Sequence, residues 1–219
     1  MGNRKKPKLK RDLFTAPDEF ISWSARLLLW GQKNLKLLLL GLGVVILAAA
    51  AWGYYQRWQL QRQEVAAELF QASIGRQTDP ASLQQELALI IRDYPETGAA
   101  LQARLALANL LYREQKFSQA LEHYQALGQI PALQELVAEN LSYCYEAQQD
   151  YLQALRALEP LLNNSDLPWR QDVLLRQARL LELAGEPAQA LGIYQKLLQQ
   201  QPPPNLRPFL LEKVAALGG

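Results

Sequence analysis

The chain has 219 residues, with 23 Lys and Arg against 21 Asp and Glu, one cysteine and one histidine. That inventory excludes an internal disulfide and a Cys/His metal centre, and no Gly-rich phosphate loop, nucleophile elbow or metal-spaced His/Glu pair marks an enzyme. The net charge of +2 conceals an asymmetry: up to Tyr55 nine bases face three acids, and from Gln56 onward 14 bases face 18 acids.

Residues 1–15 read as a basic tail, with GNRKKPKLKR at 2–11. Such a tail is attracted to anionic lipid by about 1 kcal/mol per base. No aromatics interleave these charges, so no nucleic-acid partner is expected. Thr15-Ala16-Pro17-Asp18 then supplies an N-cap, a proline in the first turn and an acid that favours the helix dipole. A juxtamembrane helix over 16–34 would align Phe20, Trp23, Leu27 and Trp30 on one stripe. That stripe suits the inner membrane surface, packing on a partner protein, or a simple extension of the next segment.

Leu37 to Tyr55 carries no charge. Nineteen residues of helix span roughly 28 Å, close to the roughly 30 Å of bilayer hydrocarbon, so this segment is expected to cross a membrane once. The basic flank retains the N-terminus in the cytoplasm. Trp52, Tyr54, Tyr55 and Trp58 form an aromatic belt at the far end. A cleaved signal peptide competes, since Leu37–Leu47 resembles an apolar core and Ala48–Ala51 offers small residues. The long basic flank and the run of apolar residues through the alanines favour an uncleaved anchor. No Cys stands at a lipoprotein-like position after the run.

From Gln56 the chain is rich in Leu, Ala, Gln and Glu with no alternating β-branched runs, which predicts an all-α fold. Residues 56–98 read as a linker helix to about Ile74, a break at Gly75–Pro80, and a second helix with Leu83, Leu87 and Ile90 that starts at Asp79-Pro80 and ends before Tyr94-Pro95. Whether one helix runs from about 35 to 74 is left open by the sequence, because nothing at 56–60 breaks it.

Residues 101–204 repeat. Phe117-Ser-Gln-Ala120-Leu121, Tyr151-Leu-Gln-Ala154-Leu155 and Pro187-Ala-Gln-Ala190-Leu191 share one pattern, their alanines 34 and 36 residues apart. Each follows a helical run and a short turn, at 113–116, 147–150 and 184–186. A two-helix unit near 34 residues resembles the tetratricopeptide repeat, an α-solenoid. Small residues Ala108, Ser142 and Ala178 on the first helices, facing Ala120, Ala154 and Ala190 on the second, would allow close approach. The tryptophan frequent early in such repeats is replaced by Arg104, Ala138 and Leu174, and Gln177 stands where leucine is usual. Residues 205–219 read as a capping helix, with Phe209, Leu210, Val214 and Leu217 on one face.

Cys144, between two tyrosines, reads as a small core residue, and His123 as an outward residue without ligand partners. Glu135 and Glu139 at helical spacing read as a solvated face. No catalytic residue, cofactor or metal is expected. What remains is binding surface. In a tetratricopeptide array the first helices line the groove, which implies that Asn109, Tyr112, Arg113, Glu139, Asn140, Tyr143, Glu146, Arg176, Arg179 and Glu182 face a protein or peptide partner. Asn109, Asn140 and Arg176 match part of the carboxylate clamp of chaperone-docking members. Leu105 and Asp172 replace its two lysines, which argues against that mode.

The layout of basic tail, Asp18-Glu19-Phe20 amphipathic segment, single span, linker helix and small repeat domain resembles the YfgM-like family, ancillary subunits of the SecYEG translocon. The resemblance implies a bacterial inner-membrane protein with periplasmic repeats that contacts the translocon and a periplasmic chaperone. A structural scaffold of another envelope complex, in division, outer-membrane assembly or secretion, is the alternative.

Overall fold

The computed structural model describes residue 30, residues 32–76 and residues 79–218. The basic tail and most of the expected 16–34 helix lie outside these residues. Among them the fold is all helical, without a strand. The chain divides into two compact units, residues 1–59 and 60–219.

Helix α1, Leu35–Gly75, is continuous, so the question left open at residues 56–60 is answered by one helix of 41 residues. In the first unit its apolar side chains are exposed among the described residues: Leu37, Leu40 and Leu47 are 68–71% exposed. An 18-residue window has a mean hydropathy of 2.3 with none of its residues buried, which makes this helix long and apolar enough to cross a membrane. Trp52, Tyr55 and Trp58 follow one another at i, i+3 spacing, with ring centroids 6.4 and 6.1 Å apart.

The second unit is built from helix pairs. Helix α2 (Pro80–Asp93) opens on Asp79, whose carboxylate accepts the Ser82 amide at 3.2 Å, with Pro80 in the first turn. Ala66, Phe70 and Ser73 at the end of α1 and Leu87 and Ile90 of α2 begin the core. Three first helices follow, α3 (Gly98–Arg113), α5 (Gln134–Ala147) and α8 (Arg170–Leu183). Their partners are α4 (Phe117–Gly128), the split pair α6 (Tyr151–Ala157) and α7 (Glu159–Asn163), and α9 (Pro187–Gln199). Helix α10 (Arg207–Gly218) covers the last pair through Leu210, which is fully buried.

All six small residues at the helix crossings, Ala108, Ser142, Ala178, Ala120, Ala154 and Ala190, are at 0% exposure. A methyl or hydroxymethyl group at each crossing sets the short end of the roughly 8–10 Å range of helix separations. The larger position four residues after each second-helix alanine is Tyr124, Leu158 or Tyr194, at most 1% exposed. A buried tyrosine needs a partner for its hydroxyl. Tyr124 donates to Asn109 Oδ1 and Tyr194 to Glu182 Oε1, both at 2.5 Å, while Leu158 requires none.

The turns inside the three pairs are one motif repeated. Gln115, Gln149 and Gly185 have φ of 61°, 62° and 80°. The amides of Lys116, Asp150 and Glu186 reach back to the carbonyls of Leu111, Tyr145 and Leu181 at 2.8–2.9 Å. Those of Gln115, Gln149 and Gly185 reach Tyr112, Glu146 and Glu182 at 2.9–3.1 Å. This is the Schellman closure, which satisfies the last carbonyls of each first helix and demands a left-handed residue. Only the third repeat meets that demand with glycine.

The middle repeat departs from its neighbours at Pro160. Without an N–H, Pro160 cannot bond the carbonyl of Arg156, and the second helix breaks between Ala157 and Glu159. Beyond the break, Arg170 Nη1 donates to the carbonyls of Leu162 and Asn164 at 2.9 and 2.6 Å, satisfying the end of α7 and holding the 164–169 loop.

Candidate protein-binding groove

The first helices α3, α5 and α8 lie side by side, and their outward residues form one continuous strip. Tyr112 of α3 packs edge-on to Phe117, centroids 5.4 Å apart, and lies 6.5 Å from Tyr143 of α5. The Arg176 guanidinium of α8 sits 3.4 Å from the Tyr143 ring centroid. A cation this close to a half-desolvated ring is held by the ring quadrupole as well as by charge.

Arg176 is also bound from its sides. Its Nε donates to the buried Ser142 Oγ at 3.3 Å, and Nη2 lies 2.9 Å from Glu146 Oε2. Its side chain is only 9% exposed. Nη2 approaches the carboxylate off the donor axis and makes no aligned hydrogen bond, so Glu146 holds it by charge rather than by direction. The other oxygen of Glu146 takes Arg179 at 3.2 Å, and Arg179 remains 68% exposed.

Beyond α8, the strip meets the capping helix. Glu182 accepts from Tyr194 on one oxygen and from Lys213 on the other, at 2.8 Å. Burial opposes ionisation of Glu182, but these two donors outweigh it and hold its carboxyl below the ordinary range. Burial first, and the Glu182 bond second, push the Tyr194 phenol up. Phe209 stands edge-on to Tyr194, centroids 6.2 Å apart, with Lys213 Nζ 5.9 Å from its ring. Together these residues enclose a cleft of about 510 Å³, floored by Leu175 and Leu183.

The structure separates the ten sequence-predicted groove residues into three groups. Tyr143, Arg176, Arg179 and Glu182 line the cleft, and Glu146 anchors its two arginines. Tyr112, Glu139 and Asn140 are half-buried along the strip, and Arg113 is exposed at the end of α3. Asn109 is engaged with the Tyr124 hydroxyl, which occupies the carbonyl oxygen that a partner would otherwise use. Leu175, Leu183, Tyr194, Phe209 and Lys213 also line the cleft, and of these Phe209 stood on the apolar face read for residues 205–219.

Cys144 is fully buried, and burial raises its thiol to about 11, so it behaves as a core residue. His123 is half-buried rather than outward. Burial and then Arg104 push its imidazole down. Among the described residues, no group of three His, Cys, Asp or Glu is placed to hold a metal ion.

Residues 29–219 match the tetratricopeptide repeat-like domain family. The chain belongs to that family. Its fold is similar to a tetratricopeptide repeat protein from Parabacteroides merdae at 19% identity and a TM-score of 0.57, covering 73% of this chain and 61% of that one. It is also similar, at 16% identity and a TM-score of 0.51, to the nearly identical TPR-like repeats of a Podosopora anserina protein named for the kinesin light chain, covering 72% of this chain and 83% of that one. The chain thus spans somewhat less than two thirds of the Parabacteroides protein. No curated protein matches it. The tetratricopeptide fold suggests a protein-binding scaffold, typically without enzymatic activity.

Proposed function

We propose that this protein is a membrane-anchored scaffold that presents a protein- or peptide-binding groove in the bacterial periplasm. The observation that carries the binding part is the strip from Tyr112 through Tyr143 and Arg176 to Phe209. Aromatic and arginine side chains, the types enriched at binding hot spots, follow one another in one line, with Tyr143 and Phe209 exposed and Tyr112 and Arg176 packed beneath as part of the framework. The anchoring part is supported by the uncharged, unburied run in α1 and by the basic flank before it. The long basic flank and the continuation of the apolar run through Ala48–Ala51 into the aromatic belt favour an anchor over a cleaved signal sequence.

On this reading the basic tail and the 16–34 segment stay cytoplasmic, 37–55 spans the inner membrane, and 56–219 carries the linker helix, the repeats and the cap outside. The resemblance to the YfgM-like family then gives the groove its partners, the SecYEG translocon and a periplasmic chaperone, with passage of emerging polypeptides as the task. A tether near the membrane raises the effective concentration of the groove for partners held there.

An alkaline phosphatase fused after Gly219 is expected to be active, and a stable but inactive fusion overturns the orientation. A photoreactive residue at Tyr112 or Tyr143 in native membranes is expected to crosslink weakly to many exported chains and to the translocon. One stoichiometric partner, unrelated to export, would instead make the protein a dedicated envelope scaffold.

A further inference from the structure

The groove is not uniform in charge or depth, and its C-terminal end differs from the rest of the domain. From Gln56 onward the chain has four more acids than bases. At the cleft the sign is reversed: three bases, Arg176, Arg179 and Lys213, pair with two acids, Glu146 and Glu182. Glu182 has both oxygens occupied, by Tyr194 and Lys213. Glu146 is shared between two arginines, and the nearer one, Arg176, is almost fully covered. Arg179 is the cation left at the rim, 68% exposed, with half a carboxylate as its counter-charge.

Beside it, the cleft offers apolar surface that no side chain of this unit covers. Tyr143, Leu183 and Phe209 are 39%, 44% and 43% exposed around the same cavity. Its volume of about 510 Å³ lies within the usual ligand-site range of roughly 300–1,000 Å³, enough for one or two large side chains of an extended segment.

We propose that this cleft takes an extended peptide segment in which an aromatic or large aliphatic side chain stands next to a carboxylate. The apolar side chain enters between Leu183 and Phe209, and the carboxylate pairs with Arg179, giving that cation a counter-charge beside the Glu146 oxygen it already holds. A basic segment meets the uncompensated positive rim and is rejected. The inference rests on the reading of the groove as a protein-binding surface and names the chemistry of its ligand.

The test uses the full chain in detergent micelles and short fluorescein-labelled peptides containing Glu-Phe-Glu, Lys-Phe-Lys or Glu-Ala-Glu between Gly/Ser flanks. Anisotropy titration is expected to show saturable binding of the Glu-Phe-Glu peptide, at least about ten-fold tighter than either of the others, with a preference that fades at high salt. Arg179→Glu is expected to abolish the preference for acid, and Leu183→Gln to weaken the phenylalanine peptide about ten-fold. Both positions are exposed, and thermal unfolding of each variant is expected to stay near that of the parent.

Equal binding of the acidic and basic peptides, unchanged by Arg179→Glu, overturns the proposal and leaves the groove as a general peptide surface. Homotypic crosslinks from a photoreactive residue at Leu183 also overturn it, because a second copy then fills the cleft. Loss of all peptide binding overturns it too, and crosslinking from Tyr112 then decides separately whether the groove binds proteins at all.

Discussion

Leucine and alanine fill both the first half of α1 and the repeats, yet the two regions use them in opposite ways. In α1 the apolar residues surround the helix, and Leu37, Leu40 and Leu47 remain more than two thirds exposed. In the repeats they form stripes, and Ala108, Ala154, Leu158 and Ala178 are fully buried. Arrangement around the helix, not composition, separates them. A helix apolar on all sides needs a non-aqueous surround, whereas a striped helix needs only a neighbour.

The largest test of that contrast is a matched pair of truncations. Leu158→Ala should destabilise the repeat unit by about 2–5 kcal/mol, because the site packs against both neighbouring helices and cannot collapse fully. Leu40→Ala should leave the urea midpoint of the repeat unit unchanged. A similar loss from both would mean that α1 contributes its apolar face to the repeat core.

Overfilling gives the next effect. Ala178→Leu places new methylene groups at a helix crossing with no exposed surface, and should cost about 1–3 kcal/mol in the same titration. Ala49→Leu, on the exposed part of α1, should cost the repeats nothing.

The turns allow a smaller and reciprocal test. Gln115→Gly and Gln149→Gly should each stabilise by about 0.5–1 kcal/mol, since a left-handed φ strains any side chain. Gly185→Ala should destabilise by about 1 kcal/mol although its added methyl would meet no atom within 4 Å, so the cost is conformational alone.

The smallest effect expected is electrostatic. Tyr194 and Lys213 hold Glu182 below its unfolded value of 4.5, so the unfolded chain binds the extra proton and this contribution is lost as pH falls below 4.5 through the folded value. At neutral pH the partly exposed Lys213 pair is worth no more than about 1 kcal/mol. Glu182→Gln should therefore lower the urea midpoint slightly at neutral pH and flatten its decline on acidification.

Much of the fold was legible in the residue order. The 34- and 36-residue intervals predicted the pairs, and the six small residues marked the crossings where the structure places them. The site was less legible. Tyr143 and Arg176 share a face by spacing alone, but that Arg176 is nearly covered depends on Ser142, Tyr143 and Glu146 converging from another helix. Asn109 has the position of a groove residue, and its engagement with Tyr124 follows from a tyrosine fifteen residues away. Phe209 carried a packing signal and Lys213 none, since both enter the cleft from a capping helix outside the repeat period.

By itself, the sequence determined the all-helical class, the repeat and the uncharged run of α1, because periodicity, spacing and residue type are local properties. Only the tertiary structure decided that Pro160 splits one helix without disrupting the stack, that α10 turns the last first-helix face into a cleft, and that Arg179 is left at its rim. Those outcomes depend on which helices meet and how far apart, which side-chain order along one chain does not specify.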